Sequence, residues 1–185
     1  MKKQLLIVLA FVVMGLSSNA QNTFNKGDKV LNLGLGLGNT LYTGSNYTSS
    51  FPPVSASFEV GVKDELFDDK SSLGIGGYLG YTGAKWEYMD WGWDYSSIIV
   101  GARGALHYQL IDRLDSYTGL MLGYNIVSSK MFGSGGLWDN YSTSASGITY
   151  SWFLGGRYYF SDNFAGLLEL GYGISYVNIG IALKF

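Results

Sequence analysis

The stretch "KVLNLGLGLGN", residues 29–39, sets Leu31, Leu33, Leu35 and Leu37 on one side of an extended chain. Asn32, Gly34, Gly36 and Gly38 fall on the other. Successive side chains of a strand point to opposite faces, so one face here is hydrocarbon and the other nearly bare. A half-buried strand of a soluble sheet turns polar side chains to water. Glycine supplies none, and inside a strand it costs stability and needs a reason.

The same parity recurs along the chain. Val54, Ala56, Phe58, Val60 and Val62 oppose Ser55, Ser57, Glu59, Gly61 and Lys63. Leu73, Ile75, Leu79 and Tyr81 oppose Gly74, Gly76, Tyr78 and Gly80, and Ile98, Val100, Ala102, Leu106 and Tyr108 oppose Gly101, Arg103, His107 and Gln109. Segments 117–127, 147–160 and 164–174 repeat it, with Gly119, Met121, Asn125, Arg157 and Glu169 on the sparse side. The last, 176–185, alternates Ile179, Ile181, Leu183 and Phe185 with Asn178, Gly180, Ala182 and Lys184. Eight strands of about ten residues suit a tilted crossing of a bilayer.

Composition agrees. Charged residues make up 14% of the chain, with 27 glycines and 15 tyrosines, whereas soluble domains average about 25% charged. A soluble barrel of the lipocalin type would need a solvated outer face that these glycines and serines cannot build. No apolar run after residue 20 is long enough for a spanning helix. Strands in lipid must close on themselves to satisfy their backbone. The expected fold is all-β: an eight-stranded antiparallel up-and-down transmembrane β-barrel over 29–185.

Residues 1–20 read separately. Lys2 and Lys3, an apolar run from Leu5 to Val13, and Ser18-Asn19-Ala20 have the order of a cleaved export signal. Residues 21–28 form a short N-terminal segment. Removing the signal leaves ten Lys/Arg against fourteen Asp/Glu, with no basic patch to recruit nucleic acid. The sequence has no cysteine, which excludes disulfides and lipoprotein attachment.

Three connections are short and charged, 64–70, 110–115 and 161–163. Three are longer and richer in aromatics, glycine and serine, roughly 39–52, 83–96 and 128–146. The turn near 171–176 must be tight. Short turns on the periplasmic side and long loops outside are the pattern of outer-membrane barrels. An even strand count puts both chain ends on the short-turn side.

In these features the chain resembles the small outer-membrane barrels typified by the OmpA transmembrane domain and OmpX. The most specific point is the terminus, where Ile179, Ile181, Leu183 and Phe185 resemble the signal read by barrel-insertion machinery. The resemblance implies outer-membrane localisation, contact with outer-membrane lipid and lipopolysaccharide, and a monomer. No peptidoglycan-binding domain is expected after the barrel, unlike OmpA.

Inward parity collects Glu59, Lys63, Arg103, His107, Arg157, Glu169 and Lys184. An eight-stranded barrel is just wide enough to be filled by side chains, and charges inside must be paired. The expected role is a structural plug, with a narrow pore for small solutes as the alternative. Related barrels that modify lipid A make a lipid-modifying enzyme a weaker third. His107, the sole histidine, points inward near a short turn, away from external lipid. With no cysteine and no clustered carboxylates, no metal or cofactor is expected.

In "KWEYMDWGWDYSS" (85–97), Trp91 and Trp93 are candidates for gripping a surface glycan or protein, while Trp86 and Tyr95 suit an interfacial girdle. Trp138 and Tyr141 are further candidate contacts in 130–147. "GLGLG" and "GIGGYLG" lack the spacing of nucleotide loops. The expected function is non-enzymatic: envelope integrity or surface recognition through external loops.

Overall fold

The computed structural model describes residues 23–43, 47–88, 91–133 and 142–185. The export-signal reading and the Trp138 and Tyr141 candidates lie outside these residues. Eight long strands follow one another: β1 (Lys29–Asn39), β2 (Tyr47–Asp64), β3 (Ser71–Tyr88), β4 (Trp91–Ile111), β5 (Leu114–Gly133), β6 (Gly147–Ser161), β7 (Phe164–Gly171) and β8 (Ser175–Lys184). A two-residue strand, Ser142–Thr143, pairs with the end of β5.

Each strand is antiparallel to its sequence neighbours, and β1 pairs with both β2 and β8. The sheet is therefore a closed up-and-down barrel. At the seam Leu31, Leu33 and Leu35 stand opposite Leu183, Ile181 and Ile179, so bulky faces meet across the closure. Phe185 continues this pairing, its backbone exchanging hydrogen bonds with Lys29.

The outer wall is apolar to a degree water would not tolerate. Leu120 is 67% exposed, Ile148 79% and Tyr150 80%, within a continuous belt far beyond the few hundred Å² that soluble proteins leave bare. Tyr81, Tyr124, Tyr150, Tyr172 and Tyr176 ring one end of it. Tyr108, Tyr158, Phe160, Phe164 and Phe185 ring the other. Two aromatic girdles bounding an apolar band are the mark of a transmembrane barrel.

Inward glycines give the lumen side chains their room. A Cβ on Gly155 would come 2.5 Å from Tyr117 Cζ, and one on Gly74 would collide with the Glu59 carboxylate. The alternation of glycine with leucine is thus a packing device: a bare position on one strand receives a large side chain from another.

Four strands are longer than expected, and β7 stops short of the expected 164–174. β2 to β5 run 18, 18, 21 and 20 residues, against 11, 15, 8 and 10 for β1, β6, β7 and β8. Much of the expected connection at 83–96 is in fact a paired hairpin, and 128–133 belongs to β5. Trp86, Tyr88, Trp91, Trp93 and Tyr95 keep period-two alternation on both arms, and such aromatics favour strands. β2 to β5 consequently stand above the rest of the barrel as a four-stranded sheet. Pairing of β1 with β2 stops at Leu35–Val54. Above that point Pro52 and Pro53 sit on the β2 edge, interrupting its register with β3.

Candidate functional site

The lumen holds a closed ring of four charged side chains from four strands. His107 of β4 sets Nε2 2.7 Å from Glu59 Oε1 of β2 and Nδ1 2.7 Å from Asp115 Oδ1 of β5. Arg157 of β6 donates from one terminal nitrogen to Asp115 Oδ2 at 2.9 Å and from the other to Glu59 Oε2. All four are essentially withdrawn from solvent. With both carboxylates ionised, only the doubly protonated imidazole donates to both. The ring is then electrically neutral, the arrangement buried charges require.

A second cluster lies above it. Arg103 donates to Glu169 Oε2 at 2.6 Å, and the Tyr117 hydroxyl donates to the same oxygen at 3.0 Å. The Arg103 guanidinium lies 3.8 Å from the centre of the Phe153 ring, and that of Arg157 lies 4.6 Å from the Tyr117 ring. Cations favour such ring faces. Tyr117 therefore joins the clusters, bonded to one and stacked by the other. Beside Arg103 and Glu169 a cavity of ≈ 20 Å³ remains, room for about one water.

Both ends are covered. Below, Phe24 stacks on His107 with ring centroids 4.0 Å apart. Its segment is pinned by Ser72 Oγ donating to Phe24 O, by Thr23 N donating to Gln109 Oε1, and by Gly27 N donating to Gly61 O. Above, Asn39 donates to Thr82 Oγ1 at 2.9 Å, the Tyr42 hydroxyl pairs with Ser97 Oγ at 2.8 Å, and Leu41 packs on the apolar core.

The seven residues of inward parity are thus divided. Glu59, His107 and Arg157 meet in the ring, and Arg103 meets Glu169. Lys184 lies apart in the lower mouth, Nζ 3.3 Å from Thr23 O and 3.7 Å from Asp28. Lys63 is a correction: it is exposed, opposite Leu73 on the outer parity. A register shift between Gly61 and Lys63 turns it out, where Gly61 is engaged by Gly27 and Asp28. A bulge of this kind re-aims every following side chain. Asp115 is missing from that set because 110–115 reads as a turn, and Tyr117 because it carries no formal charge. Extending the inward parity of Gly119 and Met121 down by two and four places would have found both.

The upper sheet carries the second candidate site. Register between β3 and β4 is unbroken from Ser71–Tyr108 to Tyr88–Trp91, so inward parity persists above the bilayer. Trp86, Tyr88, Trp91, Trp93 and Tyr95 lie on the face turned to the barrel axis. Trp86 and Tyr95 are therefore not lipid girdle residues, a second correction. Trp86 meets Trp91 at 5.3 Å and Tyr42, Tyr47 and Tyr95 meet at 5.5–5.9 Å. The outward face bears Lys85, paired with Glu87 at 3.1 Å, and Asp94. Among the described residues no three His, Cys, Asp or Glu side chains are arranged to hold a metal.

No protein-family model matches the sequence, and neither does the sequence of any curated protein. Solved structures do match. One is Ail, the attachment invasion locus protein of Yersinia pestis, in complex with the heparin analogue sucrose octasulfate. It has 12% identity and a TM-score of 0.50, over 86% of this chain and 95% of that one. The fold is that of the small eight-stranded outer-membrane barrels. The outer membrane protein OprG of Pseudomonas aeruginosa is similar at 12% identity and TM-score 0.48, over 89% and 99% of the two chains. The N-terminal barrel domain of OprF from the same organism has 12% identity and TM-score 0.47, over 87% and 98%.

Proposed function

We propose that this chain is an exported outer-membrane barrel with a sealed lumen, acting without catalysis through what it presents outside the cell. The observation that carries this reading is the ring of Glu59, His107, Asp115 and Arg157, closed across the lumen and capped by Phe24. Ions crossing the barrel would have to break bonds whose loss costs several kcal/mol each. His107 is shut away from lipid, both ring nitrogens occupied by carboxylates, so it lacks the hydroxyl partner that acyl transfer requires. Among the described residues, what remains open to a partner is the upper sheet. Surface contact and envelope integrity are the roles this geometry supports, with Ile179, Ile181, Leu183 and Phe185 serving insertion.

Planar-bilayer recording of the purified chain tests the seal. The expected trace lacks steady openings. Ohmic openings that disappear in Arg103→Met or Glu169→Gln would establish a narrow pore instead. A lipid A modification assay in which product depends on His107 would replace the non-enzymatic reading.

A further inference from the structure

Above the bilayer, two aromatic sets share one inward face. Trp86, Tyr88 and Trp91 form the upper set. Tyr42, Tyr47 and Tyr95 form the lower, and Trp93 joins them through Tyr95 at 6.4 Å. Their register is fixed by the β2–β3–β4 ladder: Tyr47 stands opposite Trp86, Trp86 opposite Trp93, and Tyr88 opposite Trp91. Tyr88 is 54% exposed and Trp91 40%. Lipid does not explain them, because they stand above the apolar belt and on the parity turned to the barrel axis.

We propose that this aromatic face binds a neutral oligosaccharide presented from outside the cell. The assignment deepens the surface-contact reading above and rests on it. Flat rings with polar tips suit a ligand with alternating C–H faces and hydroxyls, and rigid Tyr and Trp provide contact area at low entropic cost. Charge argues for neutrality. Lys85 is satisfied by Glu87, Asp94 faces Lys85 on one strand and Lys130 on the other, and all of these lie on the opposite side of the sheet. Among the described residues nothing charged on the aromatic side would hold a sulfated or phosphorylated polymer. Pairing of a peptide with the β2 edge is disfavoured because Pro52 and Pro53 lack N–H donors there. The aromatic face is turned away from the surrounding membrane and toward the barrel axis, so the ligand comes from beyond the surface.

The test uses the chain without residues 1–20, folded in phosphatidylcholine nanodiscs. Maltohexaose and cellohexaose are titrated against tryptophan fluorescence and saturation-transfer NMR, with sucrose octasulfate as the anionic arm. The expected result is saturable binding of a neutral hexasaccharide that is insensitive to salt. Trp91→Ala should weaken it by about tenfold or more, Tyr88→Ala should weaken it too, and Lys63→Ala should leave it unchanged. Heat-modified gel mobility establishes that each variant is folded. Absence of neutral binding, binding unaffected by both aromatic variants, or salt-sensitive binding of sucrose octasulfate alone would each overturn the assignment. The bilayer recording stands apart: a silent lumen with no sugar binding removes the ligand and leaves the seal.

Discussion

The ring of Phe24 lies nearly flat on that of His107, centroids 4.0 Å apart and planes inclined by 24°. A side chain from the segment before β1 thereby forms the floor of the charged lumen. Phe24→Ala should leave the strand ladder intact but lower stability by about 3 kcal/mol, the low end for a buried phenylalanine. Urea unfolding in lipid vesicles, read by tryptophan fluorescence, measures it. An unchanged midpoint would show that the segment does not seal the lumen.

The ring of four charges should behave as a unit. Glu59→Gln or Arg157→Met alone strands a buried partner and should cost about 3–5 kcal/mol. The double variant should cost much less than the sum, because coupled groups do not add. Lys63→Ala should change stability by under about 0.5 kcal/mol, as befits an exposed side chain on the outer parity. Additive losses for Glu59 and Arg157 would contradict the geometry.

Glycines should divide by the face they occupy. Gly155→Ala places a methyl 2.5 Å from Tyr117 Cζ and should cost about 1–3 kcal/mol through overpacking. Gly77→Ala meets nothing nearer than 4.0 Å, and its strand backbone suits alanine, so it should be neutral or stabilising by under about 1 kcal/mol. Comparing the two unfolding midpoints in one lipid composition checks the sidedness directly.

The turn between β2 and β3 should respond to acid. Asp68 accepts the Tyr108 hydroxyl at 2.9 Å and the Lys70 amide at 3.1 Å. The Tyr108 bond, the largest influence, holds its pKa below the ordinary aspartate value. A carboxyl depressed in the folded state binds fewer protons than in the unfolded chain. Its contribution is therefore complete above the unfolded pKa and lost as pH falls through the folded one. Carbon NMR titration should show the Asp68 midpoint rising in Tyr108→Phe; no movement would refute the bond.

Fold class was legible because membrane sidedness is written in parity, and parity needs only the order of residues. Leu31 to Leu37 against Gly34 and Gly36 already separate wall from lumen. Strand length was not legible where composition imitates a loop, as in 85–97, whose glycine, acids and tryptophans conceal a regular hairpin. Five of the seven expected lumen charges join the two clusters, since alternation carries them inward. Lys63 escaped because the bulge arises from backbone contacts between Gly61 and the segment at 27–28, which no local residue pattern announces. Asp115 was hidden by proximity to the turn at Asp112 and Arg113, where Arg113 takes a positive φ of 64°.

The two prolines on the β2 rim bear on behaviour in a crowded membrane. A tall sheet standing in water is open to zipping by a passing chain, strand upon strand, until molecules link into fibres. Proline in the strand breaks the regular row of edge donors that such a newcomer would pair with. Neighbours pressed together at high density therefore find that rim a poor template for strand addition.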